Sequence, residues 1–304
     1  MYLHKNSIPL YSTFLLTFTI NSLDLTSHTG LGQCTHPKMP SRIALLGATG
    51  QTGRGVLQNL LEQDVDINIY VRSESRLIDM FPSISSNARA TIFEGVISDQ
   101  SLIVKLLTGV DTIIFTLGWN ENRPGTHIIE EGARAIITAL QGISKHSEQK
   151  SAPPRLIFLS SVSWNERLNP IDNPPLMTRV IRQAFYYPYQ DLLAGQKILC
   201  SQPQLVNVTL IQPGALIEEA ASGYDISIDK VGVGISYTDL SNAMVEIAME
   251  GRFADIPAVV VTSKAGYDFG RYAGVILPKV VKGLAASFLP GFWMVNDLMA
   301  RFWS

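Results

Sequence analysis

The residues best placed for chemistry are three glycines. Ile43-Ala44-Leu45-Leu46 is a short apolar run, suited to a strand buried on both faces. Gly47, Gly50 and Gly53 follow it, and a helical stretch is expected from Arg54 to Gln63. Each glycine has a use in binding a pyrophosphate. The first permits a tight turn, the second lets backbone N–H groups approach the anion, and the third lets the helix pack closely. The helix N-terminus then presents unpaired N–H groups and its positive dipole end. Thr49, Gln51 and Thr52 lie between the glycines and complete a strand–turn–helix dinucleotide loop. A second strand, Ile67 to Val71, ends at Arg72, about 20 residues on, where such folds choose between a ribose hydroxyl and a 2′-phosphate. An acid there would repel the phosphate. Arg72 and Arg76 carry guanidinium forks that suit it, so the expected cofactor is NADP (NADPH). A solvated basic turn is the plainer reading, because Glu74 sits among them.

The elements that must hold this loop alternate along the chain. Strands are expected at Ala90 to Glu94, Asp111 to Phe115, Arg155 to Leu159, Val206 to Ile211 and Ala258 to Thr262. Helices are expected over Gln100 to Leu107, capped by Asp99, and from a cap at Thr126 to about Ile143. Further helices are expected from Tyr186 and from Thr238 to about Met249. This order predicts an α/β fold: a doubly wound, Rossmann-like parallel sheet with a small C-terminal substrate lobe over the strand ends.

The loop Gly47-Ala48-Thr49-Gly50-Gln51-Thr52-Gly53 resembles that of the short-chain dehydrogenase/reductase superfamily. It is most similar to the extended and atypical branches, including NmrA-like and isoflavone-reductase-like proteins, and the resemblance covers about residues 41–265. It implies roles that spacing alone does not. Thr116, Leu117 and Gly118 would lie beside the cofactor ribose and pyrophosphate. Ser161, after the fifth strand, would face the nicotinamide and hydrogen-bond a substrate carbonyl; a structural serine turn is the alternative. Gln212-Pro213-Gly214 resembles the family's Arg-Pro-Gly, with Pro213 beside the nicotinamide end. Relatives usually have Asp where Val96 stands, contacting adenine. Competent reductases of the superfamily carry Tyr-x-x-x-Lys. Here Tyr187 is followed by Asp191 and Tyr189 by Leu193, and Lys197 has no tyrosine one turn before it. A carboxylate beside a tyrosine raises its pKa. Tyr187 or Tyr189 as a neutral proton donor is therefore one reading, and aromatic packing around a cleft is the other.

Composition narrows the field. The chain has 304 residues, 46% hydrophobic and 16% charged, against a typical charged share of about 25%. A net charge of −2 gives no nucleic-acid footprint. Cys34 and Cys200 have no zinc spacing, and His4, His28 and His36 lie in the leader, so no metal site is expected. Residues 1–38 are expected to be a disordered extension ahead of a natural start at Met39. A targeting segment is the alternative, since Ile8 to Ile20 is apolar, although no A-x-A-like cleavage site follows. Residues 39–265 are expected to form the nucleotide domain, with substrate-lobe insertions at about 165–190 and 215–237. The apolar segment 266–304 reads as a helical cover, or alternatively as a helix making weak membrane-surface contact. The expected function is an NADP(H)-dependent reductase or tailoring enzyme acting on a small apolar organic molecule. The rivals are a non-catalytic NADP(H)-sensing regulator of NmrA type and a non-redox isomerase or cyclase. A cytoplasmic location is expected, because secretion would part the protein from its cofactor.

Overall fold

The computed structural model describes residues 39–146, 152–165, 167–168, 175–230, 232, 234–265 and 269–302. The expected leader and most of the loop expected from Asn165 to Pro175 lie outside the described residues. In chain order the elements are β1 (Arg42–Leu46), α1 (Gln51–Leu60), β2 (Asp66–Val71), α2 (Glu74–Met80), β3 (Ala90–Glu94), α3 (Gln100–Leu107), β4 (Thr112–Phe115) and α4 (Ile128–His146). Then come β5 (Arg155–Leu159), α5 (Leu176–Ala184), α6 (Tyr186–Cys200), β6 (Asn207–Ile211), β7 (Ala215–Ile217), β8 (Tyr224–Ser227) and β9 (Gly234–Ser236). The chain ends with α7 (Tyr237–Met249), β10 (Ala258–Ser263), α8 (Phe269–Phe288) and α9 (Phe292–Phe302).

Eight strands form one sheet in the order β3-β2-β1-β4-β5-β6-β10-β8, parallel except for the last pair. Alternation along β1 shows why both faces are covered. Ile43 and Leu45 join a core with Val56, Leu57 and Leu60 of α1 and Leu240 and Met244 of α7. Ala44 and Leu46 join the opposite core with Leu106 of α3, Ile136 of α4 and Leu192 of α6. The strand order reverses between β2 and β4, on either side of β1, and the crevice above that point is where such sheets bind ligands. The sheet is therefore the Rossmann-like, doubly wound one expected. The insertion after β6 also supplies something unforeseen: β8 pairs antiparallel with β10 and finishes the main sheet.

Two helix starts differ from expectation. α1 begins at Gln51, not Arg54, because Gly50 takes the extended N-cap conformation and its carbonyl already accepts from Arg54 N–H at 2.8 Å. α4 is not capped by Thr126, whose hydroxyl donates to Arg123 O at 2.9 Å. Its end is satisfied from α6. Asp191 is 2% exposed and accepts from the N–H groups of Ile129 (3.0 Å) and Glu130 (2.8 Å). Negative charge at a helix N-terminus is favourable, and these bonds oppose the burial that pushes the Asp191 carboxyl above its usual range.

One residue in the loop after β4 bonds to three helices of the lobe, beside the Arg123–Asp297 and Lys282–Glu121 ion pairs. Asn122, 3% exposed, donates from Nδ2 to Gly283 O (2.9 Å) and Ser287 Oγ (2.8 Å) of α8. Its Oδ1 accepts from Tyr187 N–H of α6 (2.9 Å), and its carbonyl accepts from Trp293 Nε1 of α9 (2.9 Å). α5 and α8 meet at Gly283, where a Cβ would lie 2.0 Å from Ala184 O. Asn122→Ala orphans the half-buried Tyr187 N–H and empties the bonds to Gly283 and Ser287, and leaving such groups unsatisfied costs about 1–3 kcal/mol. A fall of about 2 kcal/mol in urea-unfolding stability is expected. An unchanged midpoint would mean the lobe is held by other contacts.

Candidate active site

Gly47 has φ +101°, open to glycine alone, and a Cβ there would meet Thr116 Oγ1 at 2.6 Å. The loop thus runs against the end of β4. Gly53 sits inside α1, where a Cβ would lie 1.9 Å from Gly47 O. Gly50 caps the helix with no side-chain hydrogen bond, so the first N–H groups of α1 face outward over a glycine-lined cradle. That cradle fits a pyrophosphate. The neighbours divide by use. Thr116 Oγ1 donates to Leu46 O at 3.0 Å, which seals β1 to β4. Buried Thr52 offers its carbonyl to Ser241 Oγ at 2.9 Å, binding α1 to α7. Gln51 Nε2 donates to Glu218 Oε1 at 2.5 Å, beyond β7. Thr49 is half-buried, and Leu117 and Gly118 continue from the end of β4 towards solvent.

Arg72 leaves the end of β2 exposed, and Arg76 is exposed in the first turn of α2, which Ser73 caps at 3.3 Å. Neither has an ion-pair partner among the described residues. The Glu74 backbone N–H donates to Glu94 Oε1 at 3.1 Å, which sets a carboxylate at the start of α2. Val96, where the resemblance implies Asp, is exposed. Arg72→Asp is expected to weaken NADP binding by about 10–100-fold, from one charge-assisted contact of about 1.5–3 kcal/mol, while NAD binding holds. Calorimetry with both nucleotides checks this; equal affinity of the wild type for NAD and NADP would refute the role given to Arg72.

At the end of β5, Ser160 N–H donates to Ile211 O (2.7 Å) and Val162 N–H to Pro213 O (3.1 Å), so the serine turn is locked against the end of β6. Ser161 Oγ lies 3.3 Å from Tyr189 Oη, and Tyr189 Oη is also 3.3 Å from Ser163 Oγ. The structure brings Tyr189 to the serine. Tyr187, its ring packed edge-on against Tyr186 at 5.2 Å, has no bond to that pair. The expectation that Asp191 acts on a tyrosine is corrected: both its oxygens are spent on the start of α4. Lys197 is exposed.

The cation beside Tyr189 is Arg182 of α5, which the sequence reading missed. Its Nε and Nη2 donate to Ser163 O at 2.9 and 2.6 Å, and its guanidinium stacks 4.2 Å over the Trp164 ring. Trp164 in turn packs edge-on against Tyr189 at 5.9 Å. These residues line a cavity of about 250 Å³ with Arg179, Gln183, Tyr186 and Gln190. Neither Ser161 nor the glycine loop lines that cavity. A larger hollow of about 900 Å³ between the ends of α1 and α7 is lined by none of the glycine loop, Ser161 and Tyr189.

Residues 47–250 match the model of a family described as NAD(P)H-binding. The chain belongs to that family. It is 32% identical to an oxidoreductase of Pestalotiopsis microspora over 84% of this chain and 96% of the relative. It is 30% identical to oxidoreductase ordB of Dothistroma septosporum over 84% and 95%. In fold it is similar to a short-chain dehydrogenase/reductase of Veillonella parvula solved in complex with NADP, at a TM-score of 0.55 and 17% identity, covering 76% of this chain and 98% of that one. The fold is the one that the resemblance implied, and the protein is a member of the NAD(P)H-binding family whose similar relatives are named oxidoreductases. Among the described residues no cluster of metal-ligating side chains occurs.

Proposed function

We propose that the protein is an NADP(H)-dependent reductase of a small organic carbonyl compound. The observation that carries this reading is the Ser161–Tyr189 hydroxyl pair, seated at the end of β5. A bound nicotinamide would supply hydride. Tyr189 Oη would donate the proton to the carbonyl oxygen, and Ser161 Oγ would hold that oxygen in reach. Arg182 would keep the Ser163 carbonyl and the Trp164 ring fixed, and so the face against which Tyr189 packs. The cavity beside Tyr189 is aromatic but also rich in donors, from two arginines and two glutamines. That lining favours a flat substrate bearing oxygen acceptors over a purely apolar one.

Thr49, Gly50, Gln51 and Gly53 would meet the pyrophosphate, and Arg72 and Arg76 the 2′-phosphate. The test is NADPH oxidation by the full chain with a panel of ketones, quinones and enones, run beside NADH. Turnover of a carbonyl with NADPH supports the reading. Tight NADPH binding with no turnover on any member would favour the sensing regulator, a reading supported by the missing Tyr-x-x-x-Lys lysine.

A further inference from the structure

Helix α9 is docked the wrong way round for a globular protein. Its Trp293 and Asp297 face the body: Trp293 Nε1 donates to Asn122 O, and Asp297 pairs with Arg123. Residues three and four apart share a helix face. On the opposite arc lie Met294, Val295, Leu298, Met299 and Phe302, spaced i, i+1, i+4, i+5 and i+8, every one of them at least 50% exposed. The helix has no buried residue. α8 does the same beside it. It buries Tyr272, Val280 and Gly283. It turns Leu277, Val281 and Phe288 outward, each more than half exposed and spaced i, i+4 and i+11. An amphipathic helix ordinarily buries its apolar stripe, so two stripes turned to solvent mark a surface with a partner.

Charge decides which partner. The whole chain is at −2, yet residues 269–302 carry Arg271, Lys279, Lys282 and Arg301 against Asp297 alone; Arg123 pairs with Asp297 and Glu121 with Lys282, and the excess of cations remains. Lys279 and Arg301 are exposed beside the stripes, Lys279 at the far margin of the exposed arc of α8. A second copy docked by the same face would set these cations against themselves. An anionic lipid surface satisfies both halves: acyl chains for the stripes, headgroups for the cations. No helix among the described residues is long and apolar enough to cross a membrane, so the contact is with one leaflet. We propose that α8 and α9 form a peripheral docking surface for anionic lipid bilayers.

The test is flotation of the full-length protein with vesicles of phosphatidylcholine alone, and with phosphatidylcholine plus phosphatidylserine. Wild type is expected to float with the anionic vesicles and to leave them at high salt. The double variant L298E/M299E, both positions exposed, is expected to lose at least about tenfold in bound fraction, with NADPH affinity by calorimetry unchanged. K279E/R301E is expected to lose the preference for phosphatidylserine. Unchanged NADPH affinity shows that the variants are folded, so their loss of binding reads on the surface alone. Wild type that fails to float with anionic vesicles overturns the proposal. So does a dimer, seen by light scattering, that L298E/M299E splits, because the face would then belong to a second copy.

Discussion

Tyr189→Phe is expected to lower kcat for NADPH-dependent carbonyl reduction by about 10²–10⁴-fold, the usual contribution of a lost general acid, with NADPH affinity intact. The Tyr189 hydroxyl alone reaches both Ser161 and Ser163, and removing it leaves the ring's packing on Trp164 and Phe185 in place. Tyr187→Phe, by contrast, is expected to stay within about tenfold of wild type, because its phenol contacts neither serine. The measurement is single-turnover NADPH oxidation on whichever substrate the panel yields. If Tyr187→Phe suffers the larger loss, the serine pair is not the proton-transfer site.

Gly50→Val is expected to reduce NADPH affinity by at least about 100-fold, as one or two charge-assisted hydrogen bonds are worth about 1.5–3 kcal/mol each. The backbone at Gly50, φ −78°, accepts any residue, and a Cβ there would stand 3.3 Å from Gly47 O, tight but tolerable. The chain should fold while the valine methyls fill the space above the first N–H groups of α1. Gly53→Val is a different experiment. Its Cβ would lie 1.9 Å from the backbone oxygen of Gly47, which cannot give way, so it should fail to accumulate as folded protein. Calorimetry and circular dichroism separate the two outcomes. A folded Gly50→Val protein that binds NADPH normally would remove the glycine loop from the cofactor site.

The loop and its sheet were legible because their signals are local. A buried strand is read from four consecutive apolar residues, and a pyrophosphate turn from glycines three apart. β3, β5 and α3 fall on the expected residues, and Asp99 caps α3 through Ser101 N–H at 3.0 Å and Leu102 N–H at 3.1 Å. What was not legible depends on partners far away in sequence. Asp191 looked like a wrong residue in a catalytic helix. It is a cap for α4, 62 residues earlier. Asn122 looked like one polar residue among several in a loop, and nothing nearby in sequence says that it reaches Gly283, 161 residues on. Arg182 lies on a helix outside the tyrosine motif and meets the serine turn only once α5 folds back. The choice between Tyr187 and Tyr189 was open for a simple reason: residues two apart on a helix face differently, and only the position of the serine turn selects one.

The sheet's two margins have a consequence for how copies of this chain meet. An open parallel sheet ends in strands whose outer N–H and C=O groups invite another strand. β8 closes one margin with four residues, and Lys264 pairs with Asp225 there at 3.7 Å. β3 closes the other with Thr91 and Glu94 turned to solvent, next to the Arg89–Asp64 ion pair. A neighbouring strand added at either side would have to strip water from charged groups, and short, charged borders of this kind blunt fibril-like stacking. Strand-to-strand recruitment is thus disfavoured at both rims.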